Sequence, residues 1–166
     1  MVLPQLVMDP KRKCGLCTAC CTVLGVPEIS KPHQTKCEHQ CGDGCTIYED
    51  RPSTCKGFFC AWRLGYFTED DRPDRVGVVF AFQMGTKFQD GPLLVVDELR
   101  PEAYLETRPH ALILQESRRQ LVWVRSGRNR KLLGPDSELD RVQPIVDQEL
   151  REHGFLKPDS LGNEST

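Results

Sequence analysis

No run of apolar residues in this 166-residue chain approaches the length that a helix needs to cross a membrane. The opening residues, MVLPQLVMDPKRKC, are too short and too interrupted by Pro4, Asp9 and Pro10 to form the apolar region of a secretory signal. Internal repeats, low-complexity segments and a glycine-rich nucleotide loop after a strand are also missing. We therefore expect a cytoplasmic protein without a membrane partner, in a compartment that keeps thiols reduced.

Cysteine is absent from residues 61–166, although the whole chain contains nine cysteines. All nine fall within residues 14–60, at Cys14, Cys17, Cys20, Cys21, Cys37, Cys41, Cys45, Cys55 and Cys60. Thiols at this density are expected either to form disulfides or to bind metal. An odd number of cysteines in a reducing compartment favours metal.

The gaps between the cysteines are those of zinc sites. Cys14 and Cys17 are separated by two residues, as in a knuckle that chelates one tetrahedral ion, and Cys20 repeats the gap. Cys20 and Cys21 are adjacent, and neighbouring side chains of an extended chain diverge. We therefore expect these two thiols to serve different metals, or one of them to bridge two metals. The later gaps of three or four residues also suit zinc: Cys37 to Cys41, Cys41 to Cys45 and Cys55 to Cys60.

Counting ligands leaves the number and kind of metal open. Two zinc ions with four thiolates each use eight of the nine cysteines, and three zinc ions need all nine with three of them bridging. One iron–sulfur cluster takes four cysteines and two take eight. His33 and His39 are available as substitute ligands in any of these arrangements. We expect two or three zinc ions, with an iron–sulfur cluster as the alternative.

Two further interpretations use the thiols as reactive groups. The CxxC units could form a dithiol redox couple, but such motifs follow a strand and begin a helix, and the residues before Cys14 do not have a strand pattern. The ninth thiol could be a nucleophile, but the sequence does not identify a set of catalytic partners. No catalytic residue is therefore assigned.

Residues 11–63 carry an excess of basic side chains, eight against five acidic ones. A nucleic-acid surface would explain the excess. However, the basic residues are interleaved with the cysteines and lack the aromatic pattern of a nucleic-acid groove. Compensation of thiolate charge explains the basic excess better, because two zinc ions bound by eight thiolates carry a net charge of about −4. We expect no nucleic-acid partner. An adaptor function would require a protein partner, which the sequence does not identify.

The composition changes near residue 63 and predicts an α+β fold. Residues 1–63 form a loop-rich, cysteine-rich metal-binding module, residues 64–156 an α+β platform and residues 157–166 a flexible tail, all in one compact unit. Four strands are predicted, with the first two central in a small, mainly antiparallel sheet: residues 76–82, 93–96, 121–125 and 130–133.

Two or three helices accompany these strands. One is expected between the second and third strands, with Pro101 in its first turn and a restart at Pro109. Another begins at Ser137 as its cap, is kinked or divided by Pro144, and ends at Gly154.

Two blocks of the cysteine-rich segment resemble the YkgJ-type cysteine-cluster family, a zinc- or iron-chelating domain. Residues 14–21, CGLCTACC, match its CxxCxxCC signature without a gap. Its C-x-IY-x-x-RP-x-x-C block matches CTIYEDRPSTC at residues 45–55, and the likeness covers residues 14–63. The resemblance implies metal binding and leaves zinc and iron open. Some members resemble flagellin lysine methylases, but these are much longer chains, and that activity is not carried over.

The second block also contains residues that suit the surroundings of a metal site. Pro52 sets the chain direction before Cys55, Arg51 could donate to thiolate sulfur or backbone carbonyls, and Tyr48 could cover the cluster. After Cys60, an aromatic residue in the sequence AWR would pack the module onto the sheet. The expected function is a structural or adaptor protein that binds metal, and the alternative is an iron–sulfur enzyme or enzyme subunit.

Overall fold

The computed structural model describes residues 8–42, 44–127 and 129–154. In its cysteine-rich part, the helices and strands are at most five residues long, as a segment rich in glycine and proline predicts. These elements are helix α1 (Ala19–Val23), strands β1 (Gln40–Cys41) and β2 (Gly44–Cys45), and helix α2 (Ser53–Gly57), with a 3-10 turn at Pro27–Ile29.

The second part of the chain contains the longer elements. In chain order these are α3 (Pro73–Val76), β3 (Val78–Gln83), β4 (Leu93–Glu98), α4 (Thr107–Ser117), β5 (Val122–Ser126), β6 (Asn129–Leu133) and α5 (Asp136–Glu152). Two 3-10 turns accompany them, Glu69–Asp71 and Ala103–Leu105.

The four long strands form one mixed sheet in the order β3-β4-β5-β6. The β3–β4 and β5–β6 pairs are antiparallel, and β4 and β5 are parallel, connected through α4. The predicted α+β class with a mainly antiparallel sheet is confirmed. All four predicted strands are present, with ends shifted by one or two residues.

The predicted central position of the first strand is wrong, because β3 lies at an edge of the sheet. Its apolar sequence follows from burial on both faces, because Val78 and Phe80 join one core and Val79 packs against α1. The end of the cysteine-rich segment covers this edge: the N–H of Ala61 donates to the carbonyl of Phe80 at 2.7 Å, and Cys60 forms an isolated bridge with Ala81. Trp62, the aromatic residue expected to pack the module here, is buried directly after this contact.

The sheet separates two apolar cores. Successive side chains of a strand point to opposite faces, so Leu94 and Val96 of β4 join the core beside α4, whereas Leu93 and Val95 join the core beside α5. This double burial explains why β4 is a continuous apolar run. A third, smaller cluster lies where α1 packs on β3 through Ala19, Val23 and Val79.

The helices differ from expectation at their N-termini and at one proline. Pro101 precedes α4 and lies outside it, whereas Pro109 occupies its first turn, where an N–H has no partner within the helix. Helix α5 begins before Ser137, which makes no capping hydrogen bond.

The predicted division of α5 at Pro144 is also wrong, since the helix runs through it. The apolar face of α5 packs on the sheet on both sides of the proline, through Val142, Val146 and Leu150, and this contact offsets the lost hydrogen bond. Gly154 follows the helix with φ +69°, as predicted for a helix end. The predicted tail, residues 157–166, lies outside the described residues.

No helix in the described ranges has both the length and the apolar character that a membrane span requires.

Candidate metal centre

All nine cysteines are free thiols, and seven of them line one cavity of about 660 Å³ in the cysteine-rich segment. The seven are Cys14, Cys17, Cys20, Cys21, Cys37, Cys45 and Cys55. The thiols surround the cavity and do not meet at one point. In the part of the chain that the structure describes, no three His, Cys, Asp or Glu side chains form a group that could hold a metal ion. The donor set is nevertheless soft, and thiolates favour zinc, copper(I) and iron–sulfur clusters.

The first wall of the cavity is a tight turn followed by α1. The N–H of Cys17 donates to the carbonyl of Cys14 at 2.9 Å, and Gly15 between them has φ +55°, a conformation that glycine adopts without strain. Cys20 and Cys21 lie within α1, so they are adjacent on a helix and not on the extended chain assumed from the sequence. Adjacent residues of a helix point about 100° apart. The two side chains therefore still diverge, but because of the helix and not because of an extended chain.

The thiols of Cys20 and Cys21 nevertheless influence each other's ionisation. A hydrogen bond between them raises the pKa of Cys20 and lowers the pKa of Cys21 to about 7. The cations Lys31 and Arg51 also lower the pKa of Cys21. The thiol of Cys21 therefore ionises more readily than that of Cys20.

Cys60 lies beside Cys17, although 42 residues separate them. Both side chains pack against the apolar cluster of Ala19, Val23 and Val79. Burial raises the pKa of Cys60 to about 11, and the charges of Cys14 and Cys17 contribute to the rise. The bridge from Cys60 to the edge of β3 therefore brings this cysteine back to the first turn.

A second set of thiols lies at the other side of the cavity. The N–H of Cys37 donates to the carbonyl of Cys21 at 2.9 Å, which fixes these two chain segments side by side. Burial raises the pKa of the Cys55 thiol, and the charges of Cys21, Cys37 and Cys45 raise it further. These four thiols are therefore close enough to interact electrostatically.

Glu28 anchors the helix that carries Cys55. Its carboxylate accepts hydrogen bonds from the Ser53 hydroxyl at 2.7 Å and from the Thr54 N–H at 2.9 Å, at the start of α2. The Ser53 bond and then the Thr54 N–H bond lower the pKa of Glu28 to about 2. The carboxylate is thus ionised at physiological pH and links the 3-10 turn to α2.

Lys31 is a buried cation beside the thiols, with 8% of its surface exposed. Its ammonium donates to the carbonyls of Leu24 and Pro32 and lines the cavity. Burial lowers the pKa of Lys31, and the charges of the nearby cysteines, Cys37 first, oppose that shift. Nothing in the sequence distinguished this lysine from the other seven basic residues of the segment.

Arg51 is another of the four basic residues that line the cavity, with Lys13, Lys31 and Arg63. Its guanidinium carbon lies 4.0 Å from the centre of the Tyr48 ring, and both side chains line the wall. Among the described residues, Arg51 Nε has no hydrogen-bond partner although it is buried. Arg51 and Tyr48 thus lie beside the cysteines, and the predicted donation from Arg51 to sulfur or carbonyls stays a prediction.

The other basic residues of the segment do not all compensate thiolate charge. Arg12 donates to the carbonyls of Trp62 and Phe67, and Arg63 donates to the carbonyls of Asp9 and Arg12. These two arginines tie the start of the described chain to the segment after Cys60. Part of the basic excess is therefore structural, which the sequence analysis missed.

The structure separates the remaining candidate ligands. His39 lines the cavity, whereas His33 lies off it, with Nε2 3.2 Å from Oδ1 of Asp97. Cys41 is exposed on the β1–β2 hairpin and is absent from the cavity wall. No strand is present in residues 8–13, so the CxxC turn lacks the preceding strand of a dithiol redox motif.

The two blocks that carry the family resemblance both line this cavity. Residues 14–21 form the first turn and the start of α1, and residues 45–55 run from the end of β2 into α2. Both blocks therefore contribute thiols to the same site. In comparisons with known proteins, the chain matches no family model, no curated protein and no solved structure.

Proposed function

We propose that this protein binds metal ions in the cysteine-lined cavity, that the metal is zinc, and that it holds the segment in shape as a binding or adaptor module. The observation that carries the proposal is the grouping of seven thiols from four separate stretches of chain around one cavity, with four basic side chains among them, Lys13, Lys31, Arg51 and Arg63. An apolar core does not account for this arrangement, because few apolar side chains of the segment are buried. Metal crosslinks would supply the missing stability.

The electrostatics of the cavity support bound thiolates. Without a metal, thiolates in partly buried positions repel one another, and burial raises the pKa of Cys17, Cys55 and Cys60. A divalent cation removes this repulsion and holds the sulfurs deprotonated. Lys31 and Arg51 offset part of the negative charge that remains when zinc is bound by four thiolates.

A structural role for the metal follows from the number of ligands. Eight thiolates saturate two tetrahedral zinc ions and leave no open position for water or substrate. A catalytic zinc keeps one position open. Free thiols throughout the segment also support a reducing compartment such as the cytoplasm.

Four large apolar side chains in the described part of the module are exposed, Met8, Leu16, Tyr48 and Phe59. They support the adaptor part of the proposal, because a protein partner could cover them.

The experiment is elemental analysis of the full chain, purified under nitrogen from cells supplied with zinc and iron. We expect about two zinc ions per chain, a colourless protein and an unchanged ratio in Cys41→Ser. A brown protein that contains iron and acid-labile sulfide would show that the cavity binds an iron–sulfur cluster and not zinc. Fewer than one transition-metal ion per chain, with the thiols reduced and reactive, would overturn metal binding altogether.

A further inference from the structure

The vicinal cysteines of α1 have different neighbours. The thiol of Cys20 interacts with the charges of Cys14 and Cys17, whereas that of Cys21 interacts with Arg51. Lys31 interacts with both thiols. The carbonyl of Cys21 also accepts the hydrogen bond from Cys37. Helix α1 therefore lies on the boundary between two groups of cysteines.

The first group is built on the edge of the sheet. The turn at Cys14 and Cys17 leads directly into α1, which packs on β3, and the bridge of Cys60 to Ala81 holds the fourth thiol against the same apolar cluster. The carboxylate of Asp74 contacts the thiol of Cys17. This group contains four thiols and depends on the platform for its geometry.

The second group is built within the cysteine-rich segment. The β1–β2 hairpin carries Cys45, the Glu28 contact positions Cys55, and the backbone bond to Cys21 positions Cys37. Its cations are Lys31 and Arg51, whereas Asp74 and Arg72 border the first group. The two groups thus differ in support and in electrostatic surroundings.

Cys41 belongs to neither group. Cys60 also lies off the cavity wall, but it packs with Cys17 on the apolar cluster of the first group. Cys41 is exposed as well as off the wall, and it pairs with Gly44 across the hairpin. Three zinc ions would need all nine thiolates with three of them bridging, and the position of Cys41 removes it from that count. Eight thiolates remain for two tetrahedral ions.

We infer, resting on the proposed metal binding, that the cysteine-rich segment holds two separate four-thiolate sites, one formed by Cys14, Cys17, Cys20 and Cys60, and the other by Cys21, Cys37, Cys45 and Cys55. Cys20 and Cys21 lie side by side on α1, each on a different ion. Cys41 is a free thiol in the metal-loaded protein. No sulfur is shared between the ions.

The test is cadmium-113 NMR of the full chain after exchange of the bound metal for cadmium. We expect two resonances, both in the range of cadmium bound by four thiolates, without cadmium–cadmium scalar coupling. Cys60→Ser moves or removes one resonance, Cys45→Ser moves or removes the other, and Cys41→Ser leaves both in place. Cys14→Ser and Cys37→Ser repeat the two assignments in case Cys60→Ser or Cys45→Ser does not fold.

The outcomes separate this inference from the proposed function. A wild-type protein that takes up no zinc or cadmium overturns the proposed function itself. Metal that binds with scalar coupling between the two ions, or two resonances that shift together in every variant, leaves metal binding intact and overturns the division. Loss of either resonance in Cys41→Ser likewise overturns the ligand assignment.

Discussion

His33 Nε2 lies 3.2 Å from Oδ1 of Asp97, and this contact joins the cysteine-rich segment to the middle of the sheet. Asp97 is buried on β4, where Arg125 Nε of the neighbouring strand also donates to it at 2.8 Å. Gln34, next to His33, donates to the same carboxylate oxygen at 3.2 Å. One carboxylate thus holds two strands and a loop of the module together.

Asp97→Asn is expected to destabilise the protein at neutral pH. Burial raises the pKa of Asp97, but the hydrogen bonds from His33 and Arg125 outweigh it and hold the pKa below its usual range. The stabilisation is therefore present above the unfolded-state pKa, about 3.9, and is lost as pH falls through the lower folded-state pKa. We expect a loss of about 2 kcal/mol in the free energy of unfolding at pH 7, shrinking below about pH 4.

Urea unfolding followed by tryptophan fluorescence measures this difference. Asp90→Asn is the control, because Asp90 is an exposed aspartate outside the network. A difference between wild type and Asp97→Asn that stays constant down to about pH 3 would contradict the assigned role of the carboxylate.

Removing the metal is expected to unfold residues 14–60 and leave the sheet intact. The long strands and α5 share apolar cores that contain no cysteine, whereas the cysteine-rich segment buries little apolar surface. Amide NMR spectra recorded with and without a strong chelator report both parts in one sample. The amide signals of residues 93–150 should keep their dispersion, whereas the amide signals of residues 14–60 should lose it.

The amides of β3 provide an internal control for that experiment. Phe80 and Ala81 receive the contacts from residues 60 and 61, so their signals should shift without losing dispersion. Unchanged signals for residues 14–60 after complete metal removal would show that the segment folds without metal.

Lys31→Met is expected to weaken metal binding by about tenfold or more, the effect typical of losing a group that surrounds a metal site. The substitution keeps much of the side-chain volume but removes the cation beside Cys21, Cys37 and Cys55. Competition against a chromophoric chelator gives the affinity. Lys36→Met, at an exposed position, should match wild type, and Lys31→Arg should recover part of the loss.

Glu28→Ala is expected to speed the loss of one metal ion and spare the other. The carboxylate positions Cys55 only through Ser53 and Thr54, so the effect should be limited to the group around Cys55. Because the pKa of Glu28 is about 2, its effect should not change between about pH 5 and pH 8. Release kinetics with a chelator measure it, with Glu49→Ala as the matched control. Equal acceleration of both ions would show that Glu28 acts on the whole module.

The strands of the platform were predictable because their signal is local. Residues 93–96 are apolar without interruption, and a strand buried on both faces requires that pattern whatever surrounds it. The edge position of β3 was not predictable. The residues that cover it, Cys60 and Ala61, pair with it across a stretch whose own pattern shows no strand.

The candidate site likewise has features that the sequence predicted and features that it did not. A two-residue gap brings Cys14 and Cys17 together in a single turn, so spacing was enough to place them. Spacing also placed Cys41 among the metal ligands and could not decide whether Cys20, Cys37 or Cys41 was the spare thiol, whereas the structure places Cys41 off the cavity. The buried position of Lys31 and the carbonyl contacts of Arg12 likewise depend on distant parts of the chain.

The sequence alone determined the α+β class, the four strands and the concentration of thiols in one loop-rich segment, because composition and short spacings constrain residues within a few positions of one another. Only the tertiary structure decided which distant cysteines are neighbours. Cys60 reaches Cys17 through the edge of the sheet, and Cys37 reaches Cys21 through a backbone hydrogen bond. Such contacts follow from pairing and packing between separate elements, which no local pattern contains.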